Sequence, residues 1–289
     1  MVLENSDPQE KEQSFNKQII SEYLKYGSVD KVFENYNYDL PISYPGFQRL
    51  VEKWGIVKAA GPNSMLSEAL CFMVLMSDQK LPLEKLYKKM PHTFKTSMAT
   101  MHRIMHNIKE GVVRRVGTAL VITAQDCPEE ILVGEDVSTP RLELGKPFGS
   151  RTLPMGYSKE NEKAGTSILR IMQQEVFTKE TIDRRFPNSV IPETAKPFMY
   201  LDIADVRVAV YHLVLSKTAC NFSSFKVINH RFLNLSALIG NNSGFRSGIK
   251  EIGLEYKKYL EDANLNYNPT PVIEKSLVNL SLADLALET

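Results

Sequence analysis

Two stretches of the sequence carry residue types at spacings that could do chemistry. His102 and His106 stand four residues apart in a helical pattern, so both imidazoles could reach one metal ion. No glutamate lies between them in the zinc-protease arrangement and no third ligand is close in sequence, so the pair reads as a solvated helix face. The second stretch opens at Leu153-Pro154-Met155-Gly156, a loop that delivers the chain to a helix starting near Glu162. Arg170 follows, then Ile171, Gln174 and Glu175, and Ile171 sits one turn before Glu175 on the same helix face. A negative charge at Glu162, and at Glu160 before it, also suits the helix dipole. Other site signatures are missing. There is no Gly-x-Ser-x-Gly elbow, no Gly-rich loop ending in Lys-Ser/Thr and no dinucleotide fingerprint after a strand.

The elements that must position these residues change character near Gly111. Residues 1–12 carry Pro8 and alternating charges and are expected to be disordered, and 13–111 are expected to form a helical N-terminal domain. Phe15, Ile19, Ile20 and Leu24 have helical spacing up to Gly27, and further helices are predicted over Gly46–Trp54, Ser64–Met76, a short stretch after Pro82, and a run from near Pro91 to Ile108. Beyond Gly111 the period shifts to strands. Val116–Ile122, Ile131–Val137, Val206–Leu215 and Phe225–Phe232 read as strands, with a loop over Ser138–Ser150 and helices over Glu162–Phe177 and Phe245–Asp262. That order describes an α+β domain over residues 112–263. From Asn264 the prolines Pro269 and Pro271 lead the chain out extended, so 264–289 are expected as a tail, with Val278, Leu282 and Leu285 spaced for a short helix.

The spacing Gly156, five residues, Glu162, seven residues, Arg170 resembles the Nudix box, G-x5-E-x7-R-E-U-x-E-E-x-G-U with U a bulky aliphatic. The resemblance covers about Val113 to Leu260 and implies an α/β/α sandwich with a mixed sheet. In that family the glutamate after the arginine and the later glutamate pair hold metal ions that polarise a diphosphate and activate water. The chain departs from the pattern at those positions. The first is Ile171, the second is Gln174, Glu175 alone matches the third, and the later glycine is Phe177.

Glu175 is therefore the candidate metal ligand, for Mg2+ or Mn2+ held poorly; Glu162 and Arg170 are the other candidate catalytic residues, and Gly156 and Gln174 candidate ligand contacts. Acids that could fill in from elsewhere are Glu143, Glu180, Asp183, Asp202 and Asp205. The resemblance implies a catalytically degenerate binding or scaffold module that could still hold a nucleotide or nucleoside-diphosphate derivative. The alternatives are a metal-dependent hydrolase with a shifted carboxylate set built on Glu175 and, more weakly, an RNA-associated factor.

Composition sets the remaining bounds. At 289 residues the chain is about twice a usual domain, and 35 basic against 34 acidic residues leave a formal charge of +1, which argues against a dedicated nucleic-acid binder. Phe222, Phe225 and Phe232 near Lys226, His230 and Arg231 could stack bases, but core strand packing is the stronger reading. No run of about 18 apolar residues exists, the polar start is no secretory signal, and Cys71, Cys127 and Cys220 lie far apart. A cytoplasmic or nuclear protein without membrane contact is expected. Seven of the eleven methionines fall between Met65 and Met105, so a protein partner is expected through the helical N-terminal domain or the C-terminal tail, with a soft helical core as the plainer use of those residues.

Overall fold

The computed structural model describes residues 8–58, 72–74, 76, 81–90, 97–110, 115–216, 221–240, 244–264 and 270–287. Parts of the reading above lie outside these residues: most of the Ser64–Met76 helix including Met65, the helix start at Pro91, Gly111, Cys71, Cys220 and Pro269.

The centre is a mixed eight-stranded sheet. Its spine is β1 (Arg115–Ala124), whose valines and isoleucine favour a buried extended chain, paired in parallel along its whole length with β6 (Val206–Leu215). The other edge of β1 is shared: β4 (Met155–Ser158) pairs antiparallel with Val116–Ala119, and β2 (Cys127–Asp136) pairs near the β1 C-terminus. β2 carries β3 (Ser150–Thr152) on one side and β7 (Val227–Asn234) on the other, and β5 (Met199–Ile203) pairs with β6.

Alternation along the strands sends side chains to two cores. Leu120, Ile122, Leu132, Tyr211 and Leu213 pack on one face against Ile168, Ile171 and Met172 of the helix Ala164–Glu175. Ala119, Val121, Ile131, Leu201 and Val210 pack on the other face against the helices Leu83–Lys89, Met98–Lys109 and Ile249–Asn264. The result is an α+β, α/β/α sandwich, as expected.

The outer parts differ from the sequence reading. Helix α1 runs Pro8–Tyr26, so Pro8–Glu12, expected to be disordered, begin it; proline tolerates a first helical turn and Glu10 there suits the dipole. The region 13–111 is divided between two cores. Helix α1, α2 (Val29–Asn35) and α3 (Tyr44–Lys53) close a core of their own around Ile19, Leu24, Phe33 and Phe47, while Met73, Leu86, Met101 and Met105 belong to the sheet core. Met73, Met101 and Met105 are buried, the plainer use expected of those residues. The expected tail is also inside the fold. β8 (Val272–Lys275) extends the sheet beside β5, and the helix Leu277–Leu287 buries Val278, Leu282 and Leu285 in the sheet core. Ser276 N donates to Asp202 O at 3.0 Å and Asn279 Nδ2 to Ala204 O at 2.9 Å, which fixes that turn.

Candidate binding site

The remaining helices take labels in chain order: α4 Leu83–Lys89, α5 Met98–Lys109, α6 Ala164–Glu175, α7 Thr178–Ile182, α8 Leu235–Ile239, α9 Ile249–Asn264 and α10 Leu277–Leu287. A pocket of about 650 Å³ opens between α6, the β4 strand, the β1–β6 pair and the turn joining α1 to α2. Gly156 lets β4 approach α6, because a Cβ there would meet Ile171 Cδ1 at 3.0 Å. Gly27, at φ +73°, closes the wall above Lys226; an added Cβ would lie 3.7 Å from its Nζ.

At the entry to α6, Arg170 and Glu162 form a buried ion pair through Nη2 and Oε1. Arg170 Nη1 also donates to Tyr157 O at 2.6 Å, and Ser167 Oγ donates to Glu162 Oε2 at 2.8 Å. Burial raises the Glu162 carboxyl, but the Arg170 and Ser167 hydrogen bonds outweigh it and hold the group below its usual range. Both are thus brought to the site as its brace: Glu162 is spent on Arg170 and Ser167, and Arg170 fastens β4 to the helix.

Glu175 lines the pocket, and its Oε2 accepts Met155 N at 2.7 Å. Desolvation raises its carboxyl to about 7, with the Asp136 charge adding and Lys226 and Lys146 opposing. Around it stand the residues that sequence reasoning did not select. Lys226 Nζ donates to Gln174 Oε1 at 2.7 Å; Lys146 Nζ lies 3.1 Å from Asp136 Oδ2; Arg246 Nη1 lies 3.9 Å from the same oxygen. Burial lowers all three cations from their ordinary values, against partial support from Glu175 and Asp136. The sequence signal for them was absent, since Asp136, Lys146, Lys226 and Arg246 come from four separated segments and meet only through sheet pairing.

Gln174 and its neighbour Gln173 hold the N-terminal helices. Gln173 Oε1 accepts Val57 N at 3.0 Å, Gln173 Nε2 donates to Gly55 O at 2.8 Å, and Gln174 Nε2 donates to Val57 O at 3.2 Å. Trp54 Nε1 to Ile182 O and the Lys17–Asp183 ion pair complete that junction. Helix α6 therefore turns the polar side of its last turn toward another part of the chain, which ties the wall formed by α1 and α2 to the pocket floor.

The candidate supplementary acids do not gather at Glu175. Asp202 pairs with Arg207, Asp205 with Arg115 and Asp183 with Lys17, while Glu143 lies buried 3.8 Å from Arg141. His102 and His106 face solvent. Among the described residues no group of three or more His, Cys, Asp or Glu side chains is placed to hold a metal ion. The donor set at Glu175 does not suit Mg2+ or Mn2+, which need several hard oxygen ligands, because Asp136, whose charge acts on Glu175, is already paired with Lys146, and Lys226 and Lys146 stand beside it. No helix among the described residues is long and apolar enough to cross a membrane.

Sandwich, loop and braced helix define a Nudix-like fold. No family model and no curated protein matches the chain. Among solved structures it is similar to a Nudix hydrolase from Nitrosomonas europaea, at 15% identity and TM-score 0.39, over 56% of this chain and 80% of that one. A mutT/nudix family protein from Listeria innocua gives 14% identity and TM-score 0.38, over 53% and 98%. The Nudix domain of Shewanella oneidensis NrtR, solved with ADP ribose, gives 15% and 0.37, over 51% and 89%. Likenesses this distant carry nothing about activity or ligand.

Proposed function

We propose that this chain is a catalytically degenerate Nudix-fold binding module whose pocket holds a nucleotide or a nucleoside-diphosphate derivative without hydrolysing it. The observation that carries the reading is the charge in the pocket's lining, where Lys226, Lys146 and Arg246 surround a single helix carboxylate, Glu175. Such a lining attracts an anion and lacks the ligand charge that assembles a divalent metal with an activated water. The pocket's volume, about 650 Å³, falls within the range of small-molecule sites and is walled partly by apolar side chains such as Ile171, Val206 and Phe225. Lys25 and Lys31 on the α1–α2 wall add positive charge at the mouth.

The shifted-carboxylate hydrolase has less support, because Glu162 is engaged by Arg170 and the distal acids are paired elsewhere. A protein partner remains part of the proposal, through the outer surface of the α1–α3 unit. The test uses ADP-ribose, the compound in the Shewanella oneidensis structure, titrated calorimetrically with Mg2+, Mn2+ or EDTA, followed by assay for AMP release. Binding with no release under any condition supports the module. Metal-dependent release that disappears in Glu175→Gln would establish the hydrolase instead.

A further inference from the structure

The cluster beneath the pocket has more positive charge than its acids balance. Lys226, Lys146 and Arg246 face Glu175 and Asp136, and Lys226 is hydrogen-bonded to a neutral oxygen, that of Gln174. Arg246 is 9% exposed and lines the pocket; its Nε is shut off inside the protein, and its Nη1 stands 3.9 Å from Asp136, outside hydrogen-bond range, so the Nη end of the guanidinium is the part a ligand can meet. Guanidinium forks and ammonium groups are the side chains that bind phosphoryl oxygens directly.

We propose that Lys226, Lys146 and Arg246 form a metal-independent diphosphate subsite, in which three protein cations take the place that bound metal ions would fill beside Glu175. This rests on the binding-module reading above and adds to it the charged group that is recognised and the absence of any metal requirement. Arg246 supplies the buried fork. Lys226 is held in place from one side by Gln174 Oε1 and keeps two further N–H donors for the ligand. Lys146, steadied by Asp136 and by Ser138 Oγ at 2.6 Å, provides the third charge. No bond is broken at the subsite: direct cation contacts neutralise the diphosphate, and there is no array of carboxylates to position a metal-bound water.

The experiment is calorimetric titration of the full chain with inorganic pyrophosphate, in EDTA and again in Mg2+, for the unaltered protein and for Lys226→Met and Arg246→Met, with thermal melts to confirm folding. Pyrophosphate binding in EDTA is expected, and each substitution lowers affinity by about tenfold or more, the effect of one charge-assisted hydrogen bond. The melting temperatures hold or rise, because each substitution removes a cation that burial disfavours. Pyrophosphate binding that requires Mg2+ overturns the proposal, even where both variants fail to fold. Binding of ADP-ribose with no binding of pyrophosphate also overturns it but leaves the binding module standing. Failure of both compounds to bind overturns the two together.

Discussion

Lys226 Nζ lies 2.7 Å from Gln174 Oε1, so an ammonium occupies the side of the α6 helix where the Nudix resemblance places a metal-binding glutamate. The same glutamine donates from Nε2 to Val57 O. One side chain thus couples the charge of the pocket to the docking of the N-terminal helices.

Placing acids at the two positions that depart from the pattern is therefore expected to confer no turnover. Ile171 is 3% exposed in the core beneath the sheet, and a glutamate there buries a charge; Gln174→Glu removes the donor to Val57 O. The double variant Ile171→Glu with Gln174→Glu should lose about 2–4 kcal/mol of stability by chemical denaturation and gain no Mg2+-dependent diphosphate cleavage. Turnover in that variant would show that the cations do not obstruct the chemistry.

Gln173→Ala should loosen the N-terminal unit. It removes the pair of bonds to Val57 N and Gly55 O and leaves both backbone groups short of partners, which costs about 1–3 kcal/mol. Hydrogen exchange should accelerate across α1 to α3 while the strands β1 and β6 stay protected. Uniform acceleration across the sheet would contradict this.

Arg170→Met breaks a buried ion pair from one side and frees Tyr157 O. The expected loss is about 3–5 kcal/mol, because Glu162 is left as a poorly compensated charge. Adding Glu162→Gln should return part of it, and a double variant no more stable than Arg170→Met alone would speak against the pair as the source.

Acid should weaken the fold through His212. Its ring contacts Thr123 Oγ1 at 2.9 Å and Tyr256 OH at 3.1 Å, and burial lowers its value to about 4 from the ordinary 6.5. Between those values the unfolded chain binds a proton that the folded one does not. Its contribution is thus full above about pH 6.5 and is lost as pH falls toward 4, by about 3 kcal/mol in total. Denaturation curves across that window should show the slope in the unaltered protein and a shallower one in His212→Gln.

Leu282→Ala tests the last helix. The side chain is fully buried in the sheet core, so truncation should cost about 2–5 kcal/mol, measured by denaturant unfolding. A change below about 0.5 kcal/mol would mean that the C-terminal segment is not part of that core.

The sequence by itself determined the sandwich and the helix that follows the Gly156 loop. β-Branched and apolar residues in Val116–Ile122 and Val206–Leu215 specify buried strands, and the Gly156, Glu162 and Arg170 spacing marks the loop and the helix that follows, because these depend on neighbours within about twenty residues. That Ile171 and Gln174 depart from the pattern the spacing resembles was legible for the same reason. Only the tertiary structure decided what surrounds Glu175 and Gln174. Asp136, Lys146, Lys226 and Arg246 lie on separate strands and loops, and no periodicity along the chain relates residues that meet across a sheet. The C-terminal segment follows the same logic. Pro269 and Pro271 mark an extended chain, but whether it leaves the fold or becomes the strand beside β5 depends on the edge that β5 offers, a property of the assembled sheet.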